Sequence, residues 1–336
     1  MAEHPRHLRS DLMLLVTAAI WGTAFVFQEI AVSAGLPPLL FNALRFALGG
    51  LVLLPLVLVM RRRVRRGFLN TTGDPPPSPL PGREGEPEVA GEPAASSIGA
   101  VVLGGVLMGV ALTAGAWLQQ AGLGDAETTA GKGGFITGLY VVLVPVLGIA
   151  VGRRTDAWVW VGVVCALAGL FLLSINLDDA VPTISRGDGL VLLGTLFWAA
   201  HILLIDHLSK RHDALVLSVI QFFVCAALSA VIGLGAGEEL SSRAIAHGWH
   251  AIAYCGVMSV AVAYTLQVVA QRDAHPAAAA VIMSSEVLFA AVGGALILDE
   301  TMSGRAMLGC GLMLAGMLVS QLAPRRRTVV VSPESA

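Results

Sequence analysis

Three charged side chains lie inside long apolar runs, where a charge needs a chemical or a structural reason. Glu286 is the one charge between Pro276 and Leu298, and Arg45 and Lys132 lie in two other apolar runs. A charge at the centre of a membrane-spanning helix costs about 2.5–3.5 kcal/mol on insertion scales, and such groups usually face a bundle interior or a cavity. These residue types indicate ion chemistry, either reversible protonation or pairing with a charged solute.

The sequence allows two roles for Glu286. An apolar environment disfavours the charged form of a carboxyl group, which suits a proton-coupling group or a partner for a cationic group on a solute. The alternative is a structural carboxyl, neutral or paired with Lys132 or Arg45, that holds helices together.

The two basic residues also have alternative roles. Arg45 fits a bidentate clamp on a solute carboxylate, with Asn42 three residues earlier on the same helix face, or it bridges helices. Lys132 either contacts a ligand in the space left by its neighbouring glycines, or pairs locally with Asp125 or Glu127 beside a tight helix contact.

Aromatic and polar side chains within the apolar runs are further candidates for the wall of a solute path. Trp21 and Trp198 lie mid-span, away from the interfacial belts where Trp is enriched, and His201 follows Trp198 by one turn as a candidate proton relay. Lipid-facing or packing roles are the alternative. The full set of candidates is Glu286, Arg45, Lys132, Asn42, Trp21, Trp198, His201, Tyr140, Trp117, Tyr264 and Gln221.

The elements that must position these residues are membrane-spanning helices. The 336 residues are 56% hydrophobic and 13% charged, whereas soluble domains are about 25% charged, and the mean hydropathy is +0.77. Ten apolar runs are long enough to cross a hydrocarbon core of about 30 Å. We predict spans at 12–32, 38–60, 97–121, 128–151, 157–176, 188–208, 214–235, 248–270, 276–298 and 304–322.

The basic residues predict the orientation. Sixteen of the 21 Lys and Arg residues fall on the side of the two termini and three on the opposite side, which places both termini in the cytoplasm by the positive-inside rule. The Pro-, Gly- and Glu-rich segment 61–96 is predicted to be a disordered cytoplasmic loop. We therefore expect a multi-pass plasma (inner) membrane protein.

Other classes of site find no support in the sequence. The four cysteines lie at wide spacings inside apolar runs, without a CxxC or a Cys/His cluster, and no GxxxxGK[ST] loop is present. No cofactor, metal site or nucleic-acid partner is predicted.

Two halves of the chain resemble each other in four places and in the same order. Asp11–Gly22 matches Asp188–Ala199, and 43–49 matches 219–225, with Arg45 over Gln221. The segment 118–126 matches 266–274, and 162–169 matches 309–316. Each half has five spans, and because five is odd the second copy enters the membrane inverted. Inverted repeats are a transporter architecture with a midplane site.

This repeat sets the predicted domain organisation. The fold class is an all-α polytopic membrane protein with ten transmembrane helices as two inverted five-helix repeats. The repeats cover 11–176, interrupted by the loop 61–96, and 187–322, with cytoplasmic tails at 1–10 and 323–336. The repeated glycines Gly162 and Gly309 indicate close helix packing or a homodimer seam.

The order of motifs resembles the EamA-type members of the drug/metabolite transporter superfamily. The motifs are Trp21-Gly22, Arg45-Phe46, the run Gly131–Tyr140 leading to Pro145, Glu286, and Asp299-Glu300. The resemblance covers nearly the whole chain and implies a multi-pass plasma-membrane carrier that moves small metabolites, such as amino acids, without ATP. Two positions depart from the family pattern. Glu286 is followed by Val287 where the family often has proline, and Gly152-Arg153 replaces a frequent Gly-Glu.

The sequence thus predicts a secondary transporter and not an enzyme. Its substrate is expected to be a small polar or amphipathic metabolite, exported by alternating access with the proton as coupling ion. A lipid or amphiphile flippase of the same architecture is the nearer alternative. An intramembrane transferase is the remote one, because it would need His/Asp pairs at membrane depth.

Overall fold

Helices account for nearly all of the residues that the computed structural model describes, namely 4–71, 98–152, 157–176, 183–270 and 282–322. The first repeat contains α1 His4–Ser33, α2 Pro38–Thr71, α3 Ile98–Gly122, α4 Ala130–Gly138, α5 Tyr140–Gly148 and α6 Ala157–Ser174. The second contains α7 Arg186–Leu208, α8 Ala214–Gly235, α9 Ser242–Ala253, a π-helical segment Tyr254–Ala263, α10 Tyr264–Ala270, α11 Glu286–Ile297 and α12 Gly304–Leu322. Two antiparallel strands of two residues, β1 Ile175–Asn176 and β2 Thr183–Ile184, lie between the repeats.

These helices form ten spans. Eight are long and apolar enough to cross a membrane, and the shorter apolar helices 282–297 and 304–320 supply the other two. The predicted all-α polytopic fold with ten helices is confirmed. Span four consists of α4 and α5, and span eight consists of α9, the π-helical segment and α10.

The largest difference from a predicted boundary is at the end of α2, and α1 and α9 also begin earlier than predicted, at His4 and Ser242. Helix α2 continues to Thr71, so the prediction of a disordered loop from residue 61 is wrong for 61–71. The basic residues of this stretch are good helix formers, and they extend a helix that the apolar span has already nucleated. Most of the remaining loop (72–96), the start of the ninth predicted span (276–281) and the tail 323–336 lie outside the described residues.

Polar residues fix where several helices begin. The side chains of Thr129, Ser185, Asp213 and Ser241 each accept a hydrogen bond from a backbone N–H in the first turn that follows. Such N-caps satisfy donors that no intrahelical carbonyl can reach. They set the starts of α4, α7, α8 and α9 within a sequence that is otherwise apolar.

The inverted repeat is visible in the contact between α6 and α12. A Cβ added to Gly162 would lie 2.6 Å from the carbonyl oxygen of Gly316, and one added to Gly309 would lie 2.7 Å from that of Gly169. Repeat equivalence turns the first contact into the second, since Gly162 matches Gly309 and Gly169 matches Gly316. The predicted close packing of Gly162 and Gly309 is therefore confirmed, and these glycines are used within the chain.

Candidate functional site

The fourth and ninth spans are both interrupted, and the interruptions are equivalent in the two repeats. Leu139 separates α4 from α5, and Ser285 precedes α11 as a turn residue. Each break carries short i to i−3 hydrogen bonds, from Leu139 N to Ile136 O (3.2 Å) and from Ser285 N to Ile282 O (3.0 Å). Discontinuous helices with converging half-helix ends are the usual construction of a midplane site in transporters.

The residues that follow the two breaks meet each other. Tyr140 is the first residue of α5 and Glu286 the first of α11, and the phenol of Tyr140 donates a hydrogen bond of 3.3 Å to Oε2 of Glu286. Both side chains are half-buried. One residue after each turn therefore contributes to a hydrogen bond that joins the fourth span to the ninth.

Close packing holds this carboxylate in place. Cβ atoms added to Gly22 of α1 and to Gly138 of α4 would clash with the carbonyl oxygen of Glu286 and with Cγ1 of Val287, respectively. Only glycine allows the backbones to approach this closely. The sequence left open whether the glycines beside Lys132 make room for a ligand or for a helix contact. In the structure, Gly131 and Gly134 pack against Ala291 and Ala290 of α11, respectively.

Aromatic side chains line the region beside Glu286. Trp21 and Tyr264 pack edge to face with ring centroids 5.3 Å apart, and Tyr264 packs in the same way against Phe222 at 5.1 Å. The indole N–H of Trp21 donates to the carbonyl oxygen of Ser259 at 2.9 Å. Ser259 belongs to the π-helical segment, so the wide helix turn offers a carbonyl to the site.

Arg45 lies in the same region and has no acidic partner among the described residues. It is 4% exposed, and its guanidinium carbon lies 5.2 and 5.0 Å from the ring centroids of Phe41 and Phe46. Asn42 is 0% exposed. Neither polar atom of the Asn42 amide has a hydrogen-bond partner, nor does Nε of Arg45.

Tyr264 is close to both the acidic and the basic group. Its phenol is within electrostatic range of both Glu286 and Arg45, yet these two charged groups form no ion pair in the described structure. The structural alternative of a Glu286–Arg45 pair therefore finds no support. An acid and a base that are both close to one aromatic ring, without forming an ion pair with each other, can receive the two ends of a zwitterion.

Lys132 lies elsewhere, at the end of the bundle that carries loops 34–37, 123–129, 236–241 and 298–303 (the outer end). Its Nζ pairs with Oδ2 of Asp188 at 2.6 Å and donates to the carbonyl oxygen of Glu127 at 3.1 Å. Asp188 is fully buried and also accepts a hydrogen bond of 2.7 Å from Thr128. The basic group is thus bound to another helix, and it is not brought together with Glu286.

Other carboxylates at the outer end cap helices of the first repeat. The N–H of Ala130 donates to Glu29 (2.6 Å) and to Glu300 (2.8 Å) at the start of α4. Glu238 accepts from the N–H groups of Leu39 (3.2 Å) and Leu40 (2.9 Å) at the start of α2. Glu238 and Glu300 belong to the second repeat, so these contacts join the two halves at the outer end.

A second polar cluster lies around the predicted residues of α7 and α8. His201 Nε2 lies 2.6 Å from Oε1 of Gln221, and the indole N–H of Trp198 donates to Oε1 of Gln119 at 2.9 Å. Gln119 in turn donates to Oε1 of Gln28 at 2.9 Å. All five of these hydrogen-bonded side chains are buried or half-buried, so Trp198, His201 and Gln221 belong to interior contacts separate from Glu286.

Trp117 is the one candidate on the outside of the bundle. Its side chain is 40% exposed, on a helix whose buried residues include its neighbours Ala116 and Leu118. In a spanning helix this position faces lipid.

Sequence reasoning missed several members of these clusters. Gln28, Gln119 and Gln120 are buried amides inside apolar spans, and that signal was available in the sequence. The partner of Lys132 could not be found in this way, because Asp188 lies in the first turn of α7, far from Lys132 along the chain. The described residues contain no group of three or more His, Cys, Asp or Glu that could hold a metal ion.

Comparison with known proteins gives the same picture over the whole chain. The profile of the EamA-like transporter family matches twice, at residues 8–175 and 185–321. A protein named "Uncharacterized transporter" from Archaeoglobus fulgidus is 28% identical over 324 residues, which is 96% of this chain and 88% of that protein.

Two further relatives align over about half of the chain. The threonine/homoserine exporter RhtA of Escherichia coli K12 is 27% identical over 53% of this chain and 59% of its own length. The uncharacterized transporter YwfM of Bacillus subtilis is 26% identical over 52% of this chain and 58% of its own length. These alignments thus span less than two thirds of either relative. A solved structure with 16% identity covers 93% of this chain and 96% of its own, with a TM-score of 0.57, and it supports the fold alone.

Proposed function

The chain belongs to the EamA-like transporter family, and from this premise we propose that it is a secondary carrier that exports a small polar metabolite by alternating access. The family and the named relatives are transporters and not enzymes. We place the carrier in the plasma membrane with both termini in the cytoplasm, as the distribution of Lys and Arg favours.

The observation that supports this proposal is the meeting of Tyr140 and Glu286. Each residue opens the second part of an interrupted span, the two spans are repeat equivalents, and the side chains are joined by a hydrogen bond. A site placed between two inverted repeats can be exposed to either side when one half rocks against the other.

Glu286 supplies the coupling group in this proposal. A half-buried carboxylate between helix ends can bind one positive partner at a time, either a proton or the ammonium group of a solute. Competition between the two gives exchange, because a proton that enters from the outside displaces the solute there. An inward proton gradient then drives export.

The substrate class that fits best is an amino acid or a similar zwitterion. Glu286 offers a negative charge and Arg45 a positive one, and Trp21 and Tyr264 supply an aromatic wall between them. RhtA, which aligns with about half of this chain, is named as a threonine/homoserine exporter. The small-molecule class is thus supported by the charges of the site and by the relative.

Counterflow in proteoliposomes tests this proposal. Vesicles with the purified protein are loaded with one unlabelled amino acid at a time and diluted into a trace of the labelled one, and a fluorescent lipid reporter is followed in parallel. Transient accumulation of labelled solute above equilibrium is expected, with no protein-dependent movement of the lipid. Movement of the lipid reporter without solute exchange would replace the carrier by a flippase.

A further inference from the structure

Helix α2 carries a buried positive charge, the guanidinium of Arg45, that has no acidic partner among the described residues. Arg45 is 4% exposed inside the span Pro38–Met60, and an arginine side chain stays protonated in proteins. Ions buried in a low-dielectric medium are costly unless a partner of opposite charge is present. The question is which group neutralises Arg45.

The chain itself supplies no such partner within the described residues. Cys255 is within hydrogen-bond reach of the guanidinium, and Cys225 and Tyr264 are within electrostatic range, but thiols and phenols are neutral at ordinary pH. Glu286 lies beyond ion-pair distance, with Tyr264 near both groups. Glu29 is committed to the N–H of Ala130.

A second unpartnered group faces the same neighbourhood. Asn42 precedes Arg45 by three residues, hence on the same helix face, and it is 0% exposed. Its amide nitrogen and oxygen and the Nε of Arg45 all lack a hydrogen-bond partner. Buried polar groups are nearly always satisfied in folded proteins, so three orphaned atoms on one face indicate an absent ligand.

We propose that Asn42 and Arg45 form an anion-binding pocket, which holds a small monovalent anion such as chloride at rest and exchanges it for the carboxylate of the substrate. Water could satisfy the hydrogen bonds but would leave the positive charge uncompensated. A monovalent anion does both, since it accepts from the guanidinium and from the amide N–H groups. A carboxylate does the same with two oxygen atoms.

Only the second ligand of this pocket, the substrate carboxylate, depends on the function proposed above. Chloride binding follows from the charge balance of the fold, whereas exchange for a carboxylate requires that the molecule carries such solutes. Transport of an amino acid would therefore be inhibited competitively by chloride on the side where the pocket is open.

Thermal unfolding of the full-length protein in a neutral detergent tests the pocket without any transport. Chloride and formate are titrated at constant ionic strength against gluconate as the bulky reference anion. We expect each small anion to raise Tm by about 2–4 °C at saturation. Arg45→Met should abolish this rise. Gln221→Leu is the matched control, because Gln221 is the repeat equivalent of Arg45, is fully buried and carries no charge, and it should keep the rise.

Two further variants cover a failure of Arg45→Met to fold. Asn42→Leu keeps the guanidinium and should raise the half-effective chloride concentration about tenfold or more, because a hydrogen bond to a charged group is lost. Arg45→Lys keeps the charge and should retain the chloride effect while losing much of the formate effect. An unchanged half-effective concentration in folded Asn42→Leu contradicts the pocket.

The outcomes separate the two proposals. An anion effect of equal size in Arg45→Met, or no anion effect in the wild type, overturns the pocket even if counterflow succeeds. An anion effect that depends on Arg45, together with failed counterflow, supports the pocket and overturns the carrier function proposed above.

Discussion

Glu286 combines three features that a coupling carboxylate needs. It is half-buried, so the surrounding protein controls its charge, and it is the first residue of α11, directly after the turn in the ninth span. One side-chain donor, the phenol of Tyr140, completes its environment. A single adjustable hydrogen bond allows the carboxyl group to gain and lose a proton without a large rearrangement.

Tyr140→Phe tests this contact. Loss of a hydrogen bond to a charged group costs about 1.5–3 kcal/mol, so we expect the counterflow rate at neutral pH to fall about tenfold or more. Tyr254→Phe is the control, because the Tyr254 hydroxyl donates to the backbone carbonyl of Ile20 at 3.2 Å and does not touch Glu286. Equal rates for the two variants would show that the phenol of Tyr140 has no part in transport.

Lys132 and Asp188 form an ion pair, for which we predict a structural role. Lys132→Met leaves Asp188 buried without its cation and should lower the free energy of unfolding by about 3–5 kcal/mol. In the double variant with Asp188→Asn most of that loss should be recovered, because no uncompensated charge remains. Thermal unfolding of both variants measures the difference. Full stability of Lys132→Met with lost transport would instead assign Lys132 to the substrate.

The sequence predicted which residues are candidates for the site, but it did not predict which side chains they contact. Charges in apolar runs identified Glu286, Arg45 and Lys132, because their cost is a property of the local sequence. Which of them would meet depended on helix rotations that no local pattern encodes. The same sequence logic could not distinguish Trp21, which lines the site, from Trp117, which faces outward.

At the scale of helices, the interruptions of spans four and nine form without proline at the break. Leu139 and Ser285 have right-handed helical φ and ψ, and both breaks are 3₁₀-like turns. Val287 stands where the family often has proline, yet the chain breaks one residue before Glu286. The break therefore depends on tertiary contacts, such as those of Gly22 and Gly138, which a single sequence does not reveal.

The close contact of α6 and α12 gives a prediction at this scale. Gly309→Ala places a methyl group 2.7 Å from the carbonyl oxygen of Gly169 and should destabilise the protein by about 1–3 kcal/mol. Gly311→Ala, on the same helix with nothing within 4 Å of the added Cβ, is expected to be neutral or slightly stabilising. Thermal unfolding distinguishes them, and equal Tm values would argue against the helix contact described here.

The number and order of the spans were the most predictable part of the fold, because length and hydropathy decide them. The ten predicted spans correspond to ten helical spans, within the residues that the structure describes. The continuation of α2 to Thr71 and the π-helical segment were not predictable in this way. Hydropathy reports where a helix can cross a membrane, and it carries no information on where the helix ends in water or how tightly it winds.

The whole molecule combines a symmetric framework with an asymmetric site. The framework repeats the Gly162–Gly316 contact as Gly169–Gly309, and it repeats the break before Tyr140 as the break before Glu286. The chemistry is not repeated, since one half contributes a phenol and the other a carboxylate. In the function proposed above, the symmetric framework would serve alternating access, and the single carboxylate would serve coupling to one proton.

Proton-driven transport by the wild type and by Glu286→Gln tests the central claim most directly. Proteoliposomes are loaded with substrate, and efflux of the labelled solute is followed with and without an inward proton gradient at equal membrane potential. We predict that the gradient accelerates efflux in the wild type and has no effect in Glu286→Gln, although the variant folds with an unchanged gel-filtration profile. Acceleration of equal size in the variant would contradict the assignment of Glu286 as the coupling carboxylate.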